Sequence, residues 1–153
     1  MQVIEFEGID GVGKTTAYNY FIEQLRSKGY KVLETREVGN PHIPVCVELR
    51  KLILNPNTNI SGEAMELVFG AMRVENQNFY KEVAKDYDFI VSDRGWLSHL
   101  AYTDHNVSEE FTSKLYNQFL ADITSLPNMV VYLEADLEVS FSRRVNRGEE
   151  PDA

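Results

Sequence analysis

The chain has 153 residues, 43% of them apolar and 11% aromatic, which suits one globular domain over residues 1–153. Its net charge of −9 argues against a surface that grips a nucleic-acid backbone, and its single cysteine, Cys46, excludes an internal disulfide. No apolar run approaches the roughly 20 residues of a membrane span, and Met1-Gln2-Val3-Ile4-Glu5-Phe6-Glu7 does not resemble a signal peptide; a cytoplasmic protein without nucleic-acid or membrane partners is expected.

Val3–Phe6 reads as a first strand. It feeds Gly8-Ile9-Asp10-Gly11-Val12-Gly13-Lys14-Thr15, two glycines separated by four residues and closed by lysine and threonine. Glycines let the backbone turn N–H groups inward at a helix N-terminus, forming a concave anion cradle. Lys14 is then placed to reach β- and γ-phosphates, and the Thr15 hydroxyl to hold Mg²⁺. The flanks fit this reading of a nucleoside triphosphate site, because Lys14–Lys28 has helical period and ends at Gly29.

Lys31–Thr35 alternates as a second strand, and Pro41 and Pro44 punctuate a loop before a helix over Val45–Leu54. Asn55–Asn59 is a turn-rich break. A long helix follows from Ser61–Glu63 to about Asp86. The continuous apolar run Phe89-Ile90-Val91 is that of a buried parallel strand. Ser92–Thr103 and Ser108–Thr124 read as two helices, the second capped by Ser108, and Met129–Leu133 as a fourth strand before a helix over Leu137–Asn146. Strands alternating with helices imply an α/β fold of the phosphate-loop NTPase type, a three-layer α/β/α sandwich around a mainly parallel sheet. Residues 147–153 read as the start of a loop, so a further C-terminal portion is expected.

The third strand closes on Ser92-Asp93-Arg94. A carboxylate at the end of a buried strand beside a phosphate loop is where such enzymes keep a Mg²⁺ partner; Asp93 as a helix cap is the alternative, compatible with it. A cation following it, Arg94, suggests a second anion close to the first. Arg94, Ser98 and Tyr102 are spaced i, i+4, i+8, on one face if Ser92–Thr103 is helical; taken alone, Ser98 reads as a solvated or helix-bonded serine and Tyr102 as a core residue with a wet tip. Phe69 and Arg73 are likewise i, i+4; taken alone Phe69 reads as plain core alongside Met65 and Met72, with stacking on a flat base, and Arg73 donating to a carbonyl oxygen, as the alternative. Asp10 beside an anion cradle needs compensation, either by accepting from an acceptor's 3′-hydroxyl or by holding Arg36; a turn-stabilising aspartate is the alternative. Glu37 is expected to orient Mg²⁺-bound water or Arg94. His42, His99 and His105 have no metal-ligand spacing.

Four of these segments together resemble the thymidylate kinase family. Phe6–Thr16 is similar to its phosphate loop, Thr35-Arg36-Glu37 to its threonine-arginine-glutamate motif, and Glu66–Arg73 to its base-recognition helix. Asp93-Arg94 with Ser98, Ala101 and Tyr102 is similar to its aspartate-arginine run, and Arg143 and Arg147 fall where its mobile lid begins. The resemblance implies an ATP site at Gly8, Asp10, Gly11, Val12, Gly13, Lys14, Thr15, Thr16, Arg143 and Arg147, with Mg²⁺ at Thr15 and Asp93. It implies catalytic roles for Lys14, Arg36, Asp93 and Arg94, and an acceptor site of Asp10, Arg36, Phe69, Arg73, Arg94, Ser98 and Tyr102. In that site Tyr102 crowds the sugar's 2′ position. The implied reaction is phosphoryl transfer from ATP to a deoxynucleoside monophosphate, foremost dTMP, by an enzyme whose relatives often pair as homodimers. The chain departs from the family at Val38-Gly39-Asn40-Pro41, where proline and paired glycines are usual.

Transfer between two polyanions needs positioning and neutralisation more than a base, which Lys14, Arg36, Arg94, Arg143 and Arg147 suit. A deoxynucleoside kinase would instead need a carboxylate base for a 5′-hydroxyl, with Glu37 the candidate. A GTP switch would need an Asn-Lys-x-Asp guanine-reading motif, which the sequence lacks. A nucleotide-binding remnant without turnover is a third alternative.

Overall fold

The structure is a computed structural model that describes residues 1–103, 107–121, 125–146 and 148. Four strands, β1 (Gln2–Glu7), β2 (Val32–Arg36), β3 (Phe89–Asp93) and β4 (Met129–Tyr132), form one parallel sheet in the order β2-β3-β1-β4. Between them run α1 (Lys14–Ser27), α2 (Pro44–Leu54), α3 (Gly62–Val83), α4 (Trp96–Ala101) and α5 (Glu109–Ser113), the last continued by a π-helical stretch over Lys114–Leu120, and after β4 comes α6 (Leu137–Asn146). This is the α/β architecture expected from the alternation of strand and helix patterns.

The period of two along each strand sorts side chains to opposite faces. Ile4, Phe6, Val32 and Val91 point to one face, where Tyr18 and Ile22 of α1 bury against them, with Ala17, Phe21 and Leu25 around the edge. Leu33 and Ile90 point to the other, where Tyr80 of α3 meets them. Ile22 is 2% exposed and Ile90 fully buried; each such side chain contributes roughly 1.5–3 kcal/mol, several times the helix or strand propensity of one residue. Burial of this kind, rather than local preference, holds the layers together. On β1 the same alternation puts Glu5 and Glu7 on the face away from α1, 4% and 2% exposed, so both carboxylates must be met by donors from the elements that cover them.

The register sets the site. Phe6, Asp93 and Arg36 are level across the sheet, at the carboxyl ends of three parallel strands, which is where ligands bind in open α/β sheets. The ladder then runs one step further: Arg94 N donates to Phe6 O at 2.9 Å and Glu37 N to Asp93 O at 3.1 Å.

Two expected helices differ. Ser92–Thr103 is not one helix, because Ser92 and Asp93 stay paired in the ladder, Arg94 turns with a positive φ of 69°, and α4 begins only at Trp96. Ser108–Thr124 starts as expected, with the Ser108 hydroxyl accepting from Phe111 N at 3.2 Å. It is α-helical only to Ser113 before widening to the π form, and its expected end lies outside the described residues. Among the described residues, no helix is long and apolar enough to cross a membrane.

Candidate active site

The glycine loop joins β1 to α1 with Gly13 as the N-cap, and no side chain caps that helix. Residues 9–17 line a cavity of about 980 Å³ with Arg143 and Asn146 of α6, so Asp10, Gly11, Val12, Gly13, Lys14, Thr15, Thr16 and Arg143 are brought together as expected. Gly8 lies just behind, and Arg147 is outside the described residues. The Arg143 guanidinium donates from Nη1 to Gly11 O at 3.3 Å and Val12 O at 3.1 Å. At Gly11, with φ of 84°, an added Cβ would stand 2.2 Å from Ser140 O; the loop backbone lies directly on α6, and only glycine fits.

A second cavity, of about 490 Å³, opens on the other side of Lys14. Asp10, Lys14 and Thr15 line both cavities. The wall of the second also includes Arg36 and Glu37 at the end of β2, Arg50 of α2, Phe69, Arg73 and Asn76 of α3, Asp93 and Arg94 at the end of β3, and Ser98, His99 and Tyr102 in or just after α4. Every acceptor-site residue expected from the sequence is therefore in one wall.

The cations in this wall are held by partners. Lys14 Nζ donates to Asp93 Oδ1 at 2.6 Å, while Asp93 Oδ2 and the Thr15 hydroxyl make no hydrogen bond among the described residues. These are hard oxygen donors of the kind Mg²⁺ accepts, and they fit that ion. Arg94 is ion-paired with Asp10, and its Nη1 donates to Gly8 O at 3.2 Å and Ser98 Oγ at 2.9 Å. Its guanidinium carbon also stands 5.5 Å from the centre of the Tyr102 ring. Arg94, Ser98 and Tyr102 do converge, but through the left-handed turn at Arg94 rather than along one helical face. A non-glycine residue at positive φ costs about 1 kcal/mol or more; Ser92 Oγ donating to Arg94 O at 2.7 Å and the bond to Phe6 hold it there. The strain turns the guanidinium back toward the glycine loop.

Asp10 thus compensates Arg94 and not Arg36, whose Nε donates to Gly39 O at 3.3 Å. Arg36, Arg50 and Arg94 converge closely enough that Arg50, whose Nη1 donates to Val38 O at 2.6 Å, loses proton affinity through burial and then through repulsion by Arg36 and Arg94. A pocket lined by five cations and three carboxylates thus sits in an acidic protein.

Glu37 pairs with Arg73 and Asn76 rather than with Arg94. Its Oε2 accepts from Arg73 Nη1 at 2.9 Å and its Oε1 from Asn76 Nδ2 at 3.1 Å. Arg73 is 2% exposed and lies with its guanidinium carbon 4.2 Å from the centre of the Trp96 ring. Phe69 is half-buried against the α2–α3 core and meets the His99 ring at 4.9 Å, so it is both packing residue and cavity wall. Behind it, Glu66 accepts hydrogen bonds from Tyr116 and Thr103 and lies 3.3 Å from His99 Nε2. Burial pushes the Glu66 carboxyl up, but the bonds from His99 and Tyr116 outweigh it and hold it below its ordinary value.

Sequence reasoning missed Glu7, Arg50 and Asn76. Glu7 Oε1 accepts from Gly95 N at 2.9 Å and Ser98 N at 3.0 Å, and Oε2 accepts from the Ser98 hydroxyl at 2.5 Å. It caps α4 and orients the serine that holds Arg94. The available signal was an acid at every second position of a strand that had to be buried. Arg50 and Asn76 carried no such signal, since each sits on a helix whose docked face is set by tertiary packing. Among the described residues, no group of three His, Cys, Asp or Glu side chains is arranged to hold a metal ion.

The thymidylate kinase family model matches residues 6–153. The chain is 37% identical over 147 residues to a thymidylate kinase of Campylobacter concisus, covering 94% of this chain and 70% of that protein. To a thymidylate kinase of Thermosipho africanus it is 34% identical over 146 residues, covering 92% and 69%. A solved structure, the thymidylate kinase of Ehrlichia chaffeensis, superposes with a TM-score of 0.72 at 26% identity, covering 93% of this chain and 81% of that one.

Proposed function

The chain belongs to the thymidylate kinase family, and from that premise we propose that it transfers the terminal phosphoryl group of ATP to dTMP, giving ADP and dTDP. The observation that carries this reading is the pair of cavities meeting at Asp10, Lys14 and Thr15, with the Arg94 guanidinium at the seam. A triphosphate on the glycine loop and a monophosphate in the second cavity would face each other there. A phosphate oxygen of dTMP attacks the γ-phosphorus in line, the bond to the β–γ bridging oxygen breaks, and ADP carries that electron pair away.

The placement of each residue supports a part in this reading. The loop amides of Gly8–Thr16 and Lys14 hold the β- and γ-phosphates. Arg143 adds a cation on the α6 side of the loop. Thr15 and Asp93 would hold Mg²⁺, which neutralises charge on the phosphates when bound. Arg36, Arg50 and Arg94 grip the acceptor phosphate, where the planar fork of Arg suits paired oxygens. Asp10 and Ser98 aim Arg94. Phe69 lies under the base, Arg73 donates to a base carbonyl, and Tyr102 closes the sugar side. ATP and dTMP as substrates carry with them a cytoplasmic setting.

A 5′-hydroxyl acceptor would need a carboxylate base, and the candidate, Glu37, is bonded through one oxygen to Arg73 and through the other to Asn76. The test is turnover with ATP and Mg²⁺ against dTMP, dUMP, dGMP, dCMP, UMP and thymidine. dTMP is expected to have the highest kcat/KM; faster turnover of thymidine would overturn the reading.

A further inference from the structure

The segment that departs from the family pattern is wired to the acceptor cavity. Asn40, 0% exposed, donates from Nδ2 to Asn76 Oδ1 at 2.9 Å, and Asn76, 1% exposed, donates from Nδ2 to Glu37 Oε1 at 3.1 Å. Glu37 Oε2 accepts from Arg73 Nη1 at 2.9 Å. The chain of bonds has a single sense. Asn40 Oδ1 accepts from the backbone N–H of His42 at 3.0 Å, and a backbone N–H only donates, so the Asn40 amide cannot be reversed. Its NH₂ must face Asn76 Oδ1, which turns the Asn76 NH₂ to Glu37, a carboxylate that only accepts. At the far end Arg73 only donates.

Among the described residues Glu37 is the carboxylate within ion-pair distance of Arg73, although Glu5 also feels its charge, and the Trp96 ring covers one face of its guanidinium at 4.2 Å. Among the described residues its Nε makes no hydrogen bond and, of its terminal nitrogens, Nη1 alone is bonded, so Glu37 and Trp96 together fix the plane and rotation of the fork in the cavity wall. Whatever fixes Glu37 therefore fixes which donors Arg73 shows to a bound base.

We propose that Asn40 and Asn76 are positioning residues for base selection, holding Glu37 so that Arg73 presents its donors to a pyrimidine with a carbonyl oxygen at the facing edge and rejects one with an amino group there. The proposal rests on the acceptor-base reading given above. An amino group in place of the carbonyl leaves a fixed donor facing a donor, and a guanidinium held on two sides cannot rotate away to relieve it. A loosened guanidinium can.

The experiment compares kcat/KM for dTMP and dCMP, and KM for dTMP and ATP, in the protein and its Asn76→Ala, Asn40→Ala and Arg73→Ala variants, each checked by thermal denaturation. For both asparagine variants we expect the KM for dTMP to rise about tenfold, the KM for ATP to stay within about twofold, and the dTMP-to-dCMP ratio to fall at least about fivefold. Folded variants with an unchanged ratio, or with dTMP and ATP parameters falling together, would overturn the proposal. Should Asn76→Ala melt below the assay temperature, Asn40→Ala, in the loop and outside α3, decides on the same criterion. Arg73→Ala separates the two levels: if it lowers the ratio and the asparagine variants do not, only the relay fails. If it leaves the ratio unchanged, the base reading fails and the relay with it.

Discussion

Replacing Glu5 by glutamine should stabilise the protein, and by an amount that depends on pH. Glu5 sits in the middle of β1, 4% exposed, with Oε2 accepting from Trp96 N at 3.1 Å. Burial pushes its carboxyl up from 4.5 to about 7, repulsion by Glu37 and Glu7 adds to this, and the Trp96 N–H and Arg73 offset it in part. Between those two values the folded protein keeps a proton that the unfolded chain releases, so the contribution of Glu5 to stability falls as pH rises through the window from 4.5 to about 7. Above it the carboxylate is ionised in both states and the full cost applies. At about 1.4 kcal/mol per tenfold change in proton affinity that cost is roughly 3 kcal/mol, and at roughly 2–4 °C per kcal/mol for a chain of this size it is about 6–12 °C in Tm. Glutamine keeps the acceptor for Trp96 N–H, offers an NH₂ where the acid has its O–H, and never ionises. Urea denaturation of both proteins from about pH 5 to about pH 8 is the assay, read as the difference in unfolding free energy. The advantage of Glu5→Gln should be about 1 kcal/mol at about pH 5 and rise to roughly 3 kcal/mol at about pH 8. A difference that is flat in pH, or that shrinks as pH rises, would refute the assignment of a buried, protonated Glu5.

Arg94→Ala should lower kcat at least ~10²-fold with the fold intact, since removing one preorganised charge-stabilising donor costs ~10²–10³-fold; near-normal turnover would contradict its place at the seam. Gly11→Ala should destabilise the protein and weaken ATP binding together, because the added methyl would meet Ser140 O at 2.2 Å in a backbone with φ of 84°. Paired calorimetric measurement of Tm and ATP affinity checks both effects. Cys46 is fully buried, and its thiol is pushed up to about 11 by burial and then by Glu75 and Glu37. A maleimide reagent should therefore label it only after denaturant is added.

The strands were legible in the sequence because burial leaves a plain mark there: Phe89-Ile90-Val91 is apolar without interruption, and Ile4 and Phe6 alternate with acids. The glycine loop was legible because its geometry restricts residue choice at each step. What spacing alone misread was the stretch after β3. Periodicity through Ser92–Thr103 counts residues but not ladder bonds, and pairing with Phe6 carries the strand past Asp93 and forces the turn at Arg94. The partners of the charged residues were the least legible part. Asp10 was expected beside Arg36 and Glu37 beside Arg94 or a metal-bound water, whereas Asp10 meets Arg94 and Glu37 meets Arg73; which cation each meets depends on how α3 and α4 dock, and local sequence does not encode that. Glu7, Arg50 and Asn76 belong to the same class: their roles arise from contacts more than 10 residues away along the chain.

The contact of Gly11 with Ser140, and of Arg143 with the carbonyls of Gly11 and Val12, makes the phosphate cradle and α6 a single mechanical body. A tilt of that helix cannot leave the cradle's shape unchanged, since there is no slack for even a methyl group between them. Substitutions far along the helix should consequently register as altered nucleotide off-rates, at positions that never touch the nucleotide.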